Sequence, residues 1–177
     1  MSNIYLKTTE PIFKEIKDFL LRDSEERIVF LLTNKTKEVT KIIFEVKNYY
    51  LVPQNEIDQS SYSVRLEQVS QAKIIKWAWD SGFSLAEIHS HPFSNKNTTF
   101  SYSDITGLKE FVPHVWWRLK NRPYIAMVFG KRDYDAFVWI DSPDSPKQLK
   151  GILVADKLFK PTNSTLFDQN YGRRSEI

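Results

Sequence analysis

The chain of 177 residues contains no cysteine. That excludes disulfides, thiolate nucleophiles and thiolate metal ligands, so any metal must be held by imidazole, carboxylate and water. Glycine is scarce, at 5 residues, and none of it clusters into a phosphate-binding loop. No apolar run approaches the roughly 18 residues of a membrane span. The first residues, MSNIYLKTTEPIF, lack the basic start and apolar core of a signal peptide. Cytoplasmic residence is the default expectation. A dominant charge of one sign is missing as well: 25 Lys+Arg stand against 22 Asp+Glu, a net +3 that does not suggest a nucleic-acid-binding protein. There are 3 histidines, and two of them, His89 and His91, stand one residue apart.

The length suits one domain with a single sizeable core, and the pattern of apolar residues supplies its elements. Ile12, Phe13, Ile16, Phe19 and Leu20 recur at helical spacing and predict a helix over 10–24. RIVFLLT and KIIFEVKNYYLV are β-rich runs on either side of the polar NKTKE, which predicts an antiparallel hairpin. After a loop over 53–63, residues 64–82 carry a second helical pattern ending at Gly82. FSLAEIHSH then reads as a strand closed by Pro92, and a short helix runs from Ser101 to about Glu110. PYIAMVFG, DAFVWID and KGILVAD predict three further strands, with KRDY as a hairpin turn. WWRLKNRPY interleaves aromatics and bases as a single-strand-binding surface does, but it reads better as a strand or hairpin edge with its rings facing the core and its bases facing water. The class is α+β, with a mixed, mostly antiparallel sheet. The domain is expected over 1–159, followed by a polar, basic tail over 160–177 that frays or belongs to a partner's surface.

The chemistry concentrates in EIHSHPFSNKNTTFSYSD, Glu87 to Asp104. Alternate residues of a strand share a face, so the imidazoles of His89 and His91 converge on one point. Ser101 and Asp104, spaced i, i+3 at a helix start, place a hydroxyl and a carboxylate at the same helix end. If the intervening loop folds back, Asp104 completes a set of two histidines and one aspartate, the arrangement of a catalytic zinc with an open fourth position. Each half alone is a common structural feature: a histidine pair on a strand, and a capping box. Their conjunction is what points to a metal.

That conjunction resembles the JAB/MPN, or JAMM, metalloprotease family, which cleaves peptide or isopeptide bonds at the C-terminus of ubiquitin-like proteins. His89, Ser90, His91, Pro92, Ser101 and Asp104 carry the match. The resemblance implies a cytidine-deaminase-like JAB/MPN fold with two long helices and a short active-site helix. It implies Zn2+ held by His89, His91 and Asp104, with Ser101 stabilising the oxyanion. The family's general base is a glutamate opening an upstream apolar strand; SEERIVFLL offers Glu25 and Glu26 there, and the spacing favours Glu26. Glu87, on the same strand face as both histidines, is a third carboxylate able to orient a ligand, compete as one or act as base. His114 is expected to be a packed or surface residue.

One departure is the nine residues from Pro92 to Phe100, where the family usually has about seven; the ligand geometry then requires Asn95–Thr99 to bulge outward. The resemblance further implies a ubiquitin-like modifier or its conjugates as substrate, with an adenylyltransferase and a conjugating enzyme as partners, and a bacterial antiviral setting. A catalytically silent docking module is the alternative, and a nucleic-acid-processing relative is a second one, disfavoured by the mild charge and by H-S-H-P. Neither a membrane nor nucleic acid is expected as a partner.

Overall fold

The computed structural model describes residues 2–58 and 64–165. Residues 59–63 of the loop expected over 53–63, and the tail beyond Thr165, lie outside the described residues. Strands β2 (Ile28–Lys37) and β3 (Lys41–Leu51) form the antiparallel hairpin, but NKTKE is not its turn: residues 34–37 continue β2, and the chain reverses just after them. A register shift between Leu32 and Thr33 absorbs one residue of β3. Strand β4 (Ser84–Ser90) lies between β2, to which it is antiparallel, and β5 (Tyr124–Phe129), to which it is parallel. Such a central strand has both faces covered, which explains why all of β4 except Glu87 is buried. Strand β6 (Tyr134–Trp139) returns antiparallel along β5.

On the other side of the hairpin, β1 (Asn3–Thr8) runs parallel to both β3 and β8 (Gly151–Val154). Two short edge strands, β7 (Lys147–Gln148) and β9 (Lys157–Phe159), complete a single mixed sheet of nine strands in the order β7-β6-β5-β4-β2-β3-β1-β8-β9. Strand β1 was not foreseen, although the buried Ile4, Leu6 and Thr8 alternate as a half-buried strand requires.

Helix α1 (Glu10–Leu20) begins at Thr9, whose hydroxyl accepts the Ile12 N–H at 3.4 Å, with Pro11 in its first turn. It buries Ile16 and Leu20 against the sheet face that carries Val29, Leu31, Phe44 and Ile88. The opposite face, with Ile28, Phe30, Leu85 and Tyr124, packs against α2 (Gln68–Ser81) and α3 (Tyr102–Arg118). Gly82 ends α2 in the left-handed region, φ 74°, where a Cβ would be strained.

The expected JAB/MPN fold, with two long helices and a short active-site helix, is corrected here. The chain has three α-helices among the described residues, of 11, 14 and 17 residues, and the helix after the motif is the longest of them. They pack on a nine-stranded mixed sheet, an arrangement that is α+β only in the loose sense. The physical reason lies at Pro113. Proline in a helix interior removes a hydrogen bond and clashes with the preceding turn, so the sequence suggests a stop near Glu110. Leu108, Val112, Val115 and Trp116 nevertheless form one buried stripe, and side chains worth about 1.5–3 kcal/mol each offset a proline cost of about 3 kcal/mol. WWR is therefore the last turn of α3 and not a strand edge: Trp116 is buried, while Trp117 is exposed beneath the cations of Arg118 and Lys120.

No helix among the described residues is long and apolar enough to cross a membrane. Phe44, fully buried on the α1 side of the sheet, tests the packing. Phe44→Ala is expected to lower the unfolding free energy in urea by about 3–5 kcal/mol. Val39→Ala, at a fully exposed position, should stay within about 0.5 kcal/mol.

Candidate metal centre

Strand β4 delivers the histidines. The N–H of His91 donates to the Phe129 carbonyl at 2.8 Å, which extends the β4–β5 ladder one residue beyond Ser90 and preserves the alternation. Both imidazoles are buried, with ring centroids 5.0 Å apart and planes at 70°. Pro92 then ends the ladder, having no N–H to give.

The carboxylate comes from α3. Ser101 is its N-cap: the Ser101 hydroxyl accepts the Asp104 N–H at 3.1 Å, and Asp104 Oδ2 accepts the Ser101 N–H at 2.7 Å. This capping box aims Oδ2 back across the loop, 3.3 Å from His89 Nε2 and 3.2 Å from His91 Nε2. The three donor atoms all lie within 4.8 Å of one another. His89 Nε2 is buried and makes no well-formed hydrogen bond, with Asp104 Oδ2 its near neighbour at 3.3 Å. Buried polar atoms are rarely left in that state without a reason such as an ion. Ligands on a tetrahedral ion at 2.0–2.1 Å stand about 3.3 Å apart, the separation that Asp104 Oδ2 keeps from each imidazole. His89, His91 and Asp104 thus form a group able to hold a metal ion.

Ser90, between the two histidines, points to the opposite face and ties down β2. Its hydroxyl accepts the Arg27 N–H at 2.9 Å, while its own N–H donates to the Arg27 carbonyl at 3.0 Å. The Arg27 side chain is buried over the Phe19 ring and bonds Asp23 at 2.6 Å. With Arg27 held on both sides, Glu26 is placed against the site, its Oε1 3.9 Å from His91 Nε2 and its side chain 32% exposed. Burial pushes the Glu26 carboxyl up, His91 and His89 pull it back, and the net effect is upward. Glu25, by contrast, is exposed, with its carboxylate near the Arg27 guanidinium at 3.7 Å. Glu87 accepts the Tyr124 hydroxyl at 2.6 Å, and burial raises its carboxyl above the ordinary range.

A cleft of about 260 Å³ adjoins the site, with Ile28, Phe30, Leu66, Leu108 and Phe111 as apolar walls beside Glu87, His89 and Asp104. The third histidine, His114, also lines this cleft, but it is exposed and stands outside the ligand group. Across the site, Phe93 stacks on His91 at 5.0 Å and is 68% exposed, a rim residue that sequence analysis overlooked because a lone phenylalanine in a loop carries no pattern. Of the expected bulge, only Asn95–Asn97 is exposed without interruption; Thr98 and Phe100 turn inward and are buried.

The metal-free site should leave a pH signature. Burial alone lowers the pKa of His89, but the carboxylates of Asp104, Glu87 and Glu26 outweigh it and raise the value. Asp104 is likewise pushed up by burial, yet the His89 and His91 rings and the Ser101 donor hold it well below the carboxylate range. The His89 contribution to stability is therefore complete below about pH 6.5 and fades as pH climbs through the raised folded value. The Asp104 contribution is complete above about pH 4 and fades only in strong acid. Urea midpoints in chelator are expected to fall between pH 6 and 9, and Asp104→Asn should flatten most of that slope. An unchanged slope in the variant would assign the titration to other groups.

No family model and no curated protein matches the chain. Among solved structures it is similar to the solution structure of protein DSY2949 from Desulfitobacterium hafniense, with 17% identity and a TM-score of 0.48 over 86% of this chain and 94% of that one.

Proposed function

We propose that this chain is a zinc-dependent peptidase or isopeptidase that cleaves at the C-terminus of a ubiquitin-like protein. The observation that carries the proposal is the convergence of two imidazoles and one carboxylate, with a second carboxylate, Glu26, 3.9 Å from His91 Nε2. Two histidines and an aspartate, without sulfur, suit zinc among the divalent ions and leave a coordination position open. Zinc bound there would polarise a carbonyl and bring the pKa of a water to about 7.

The protein's own groups then have distinct tasks. Glu26, partly exposed and with its carboxyl raised, is suited to take a proton from the attacking water and pass it to the departing amine. Ser101 Oγ already accepts the Asp104 N–H, which leaves its hydroxyl proton to donate, either to Ser103 Oγ at 3.1 Å or to an oxyanion at the site. Glu87 is engaged by Tyr124 and Glu25 faces Arg27, so Glu26 is the carboxylate best placed to act as base. The apolar cleft offers room for an extended chain beside the ligands. Support for the substrate class is the H-S-H-P and S-x-x-D motif and its resemblance to JAMM peptidases; an adenylyltransferase and a conjugating enzyme as partners follow from the same resemblance.

Elemental analysis of purified protein is expected to give about one zinc per chain, lost in His89→Ala and Asp104→Ala. Glu26→Gln should keep the metal and lower kcat on modifier fusions by about 10²-fold or more. Ser101→Ala should lower kcat by about 10–10³-fold and destabilise α3 by about 1 kcal/mol. A wild-type protein that holds no zinc after resupply would overturn the proposal.

A further inference from the structure

The ligands arrive in two parts, His89 and His91 from β4 and Asp104 from α3, separated by the loop from Pro92 to Phe100. That loop is fastened from outside. Asp133, in the turn between β5 and β6, accepts the Asn97 N–H at 2.7 Å through Oδ2, and the Thr98 N–H at 3.1 Å and hydroxyl at 2.5 Å through Oδ1. The Lys131 N–H of the same turn donates to the Ser94 carbonyl at 2.9 Å. Asn97 adopts φ 56° to bring its N–H and the next one onto this single carboxylate. Thr98 is fully buried, and its hydroxyl sits where Gly130 has no side chain: a Cβ on Gly130 would lie 2.1 Å from Thr98 Oγ1.

The segment after β9 adds a second fastening. Thr162 takes the Tyr134 carbonyl with its N–H at 2.8 Å and the Thr98 carbonyl with its hydroxyl at 2.8 Å. Thr165 donates its N–H to the buried Asp135 at 2.8 Å and accepts the Phe100 N–H, next to the Ser101 cap, at 2.9 Å. Residues 162–165 therefore bridge β6 to the loop that carries the cap of α3. None of these side chains reaches the ligand atoms, yet the distance between His91 and Asp104 passes through backbone groups that they hold.

We propose that Asp133, Thr162 and Thr165 are positioning residues for the metal site: they fix the loop so that Asp104 meets the two histidines already at ligand spacing. This rests on the metal site proposed above. A loop left free must be ordered at each binding event, which weakens affinity, and loss of outer partners of metal ligands commonly costs about 10–100-fold.

The test compares wild type with Asp133→Ala, Gly130→Ala and the pair Thr165→Val and Thr165→Ser. Zinc affinity is measured by chelator competition, and amide exchange over 92–105 is measured in the metal-free protein. Asp133→Ala, Gly130→Ala and Thr165→Val are expected to bind zinc about 10–100-fold more weakly and to exchange faster over 92–105, with exchange in β4 and β5 unchanged. Thr165→Ser, which keeps the acceptor oxygen, should behave as wild type; this mild pair carries the test if Asp133→Ala fails to fold. Wild-type affinity in Asp133→Ala and Thr165→Val overturns the inference and leaves the proposed function standing. Absence of zinc binding in the wild type removes the proposed function; exchange then decides the positioning role, which unchanged rates over 92–105 would refute.

Discussion

Two imidazoles and a carboxylate buried together at the end of a central strand are costly unless every polar atom has a partner. Much of the surrounding structure answers that requirement. β4 can carry His89 and His91 inward only because β2 and β5 satisfy its backbone on both sides. Asp104 can present Oδ2 to both rings because the Ser101 N–H already binds it and holds its direction. Among these groups, His89 Nε2 is buried without a hydrogen bond, and it is an atom a metal ion would take.

The site was more legible in the sequence than the fold around it. Spacing alone places His89 and His91 on one strand face, and Ser101 with Asp104 at one helix end, because strand and helix periodicities act over a few residues. Glu26 entered only through the resemblance to a family whose base opens an apolar strand, and what brings it beside His91 is the Ser90 clamp on Arg27, a contact across 63 residues that no local pattern announces. Asp133 was invisible for the same reason. Within KRDY it is one more turn-forming aspartate, and its partners Asn97 and Thr98 are 36 and 35 residues away.

The fold expectation failed where tertiary burial overrides local signals. A proline after Val112 suggests that a helix stops, but the buried stripe from Leu108 to Trp116 carries α3 through it. β1 is a parallel strand whose partners, β3 and β8, lie far along the chain, and such pairing leaves no hairpin turn to mark it. The tail offered a further surprise. Pro161 to Thr165 is a polar stretch that composition assigns to a loose end, yet its two threonines are satisfied by backbone groups of the loop and by Asp135.

A capping box and a metal ligand are usually treated as competing explanations of the same residues. In this chain one carboxylate is placed to do both. Asp104 Oδ2 accepts the Ser101 N–H while facing both histidines, so the atom that starts the helix is also the atom offered to the ion. Anything that frays the first turn of α3 withdraws a ligand, and an ion that binds the ordered site stabilises the helix start by mass action. A carboxylate in the first turn of a helix held by a cap has less freedom to lose than one on an open loop. That difference favours a site whose geometry is set before the ion arrives, which is the role proposed for the fastening of the loop at Asp133 and Thr165.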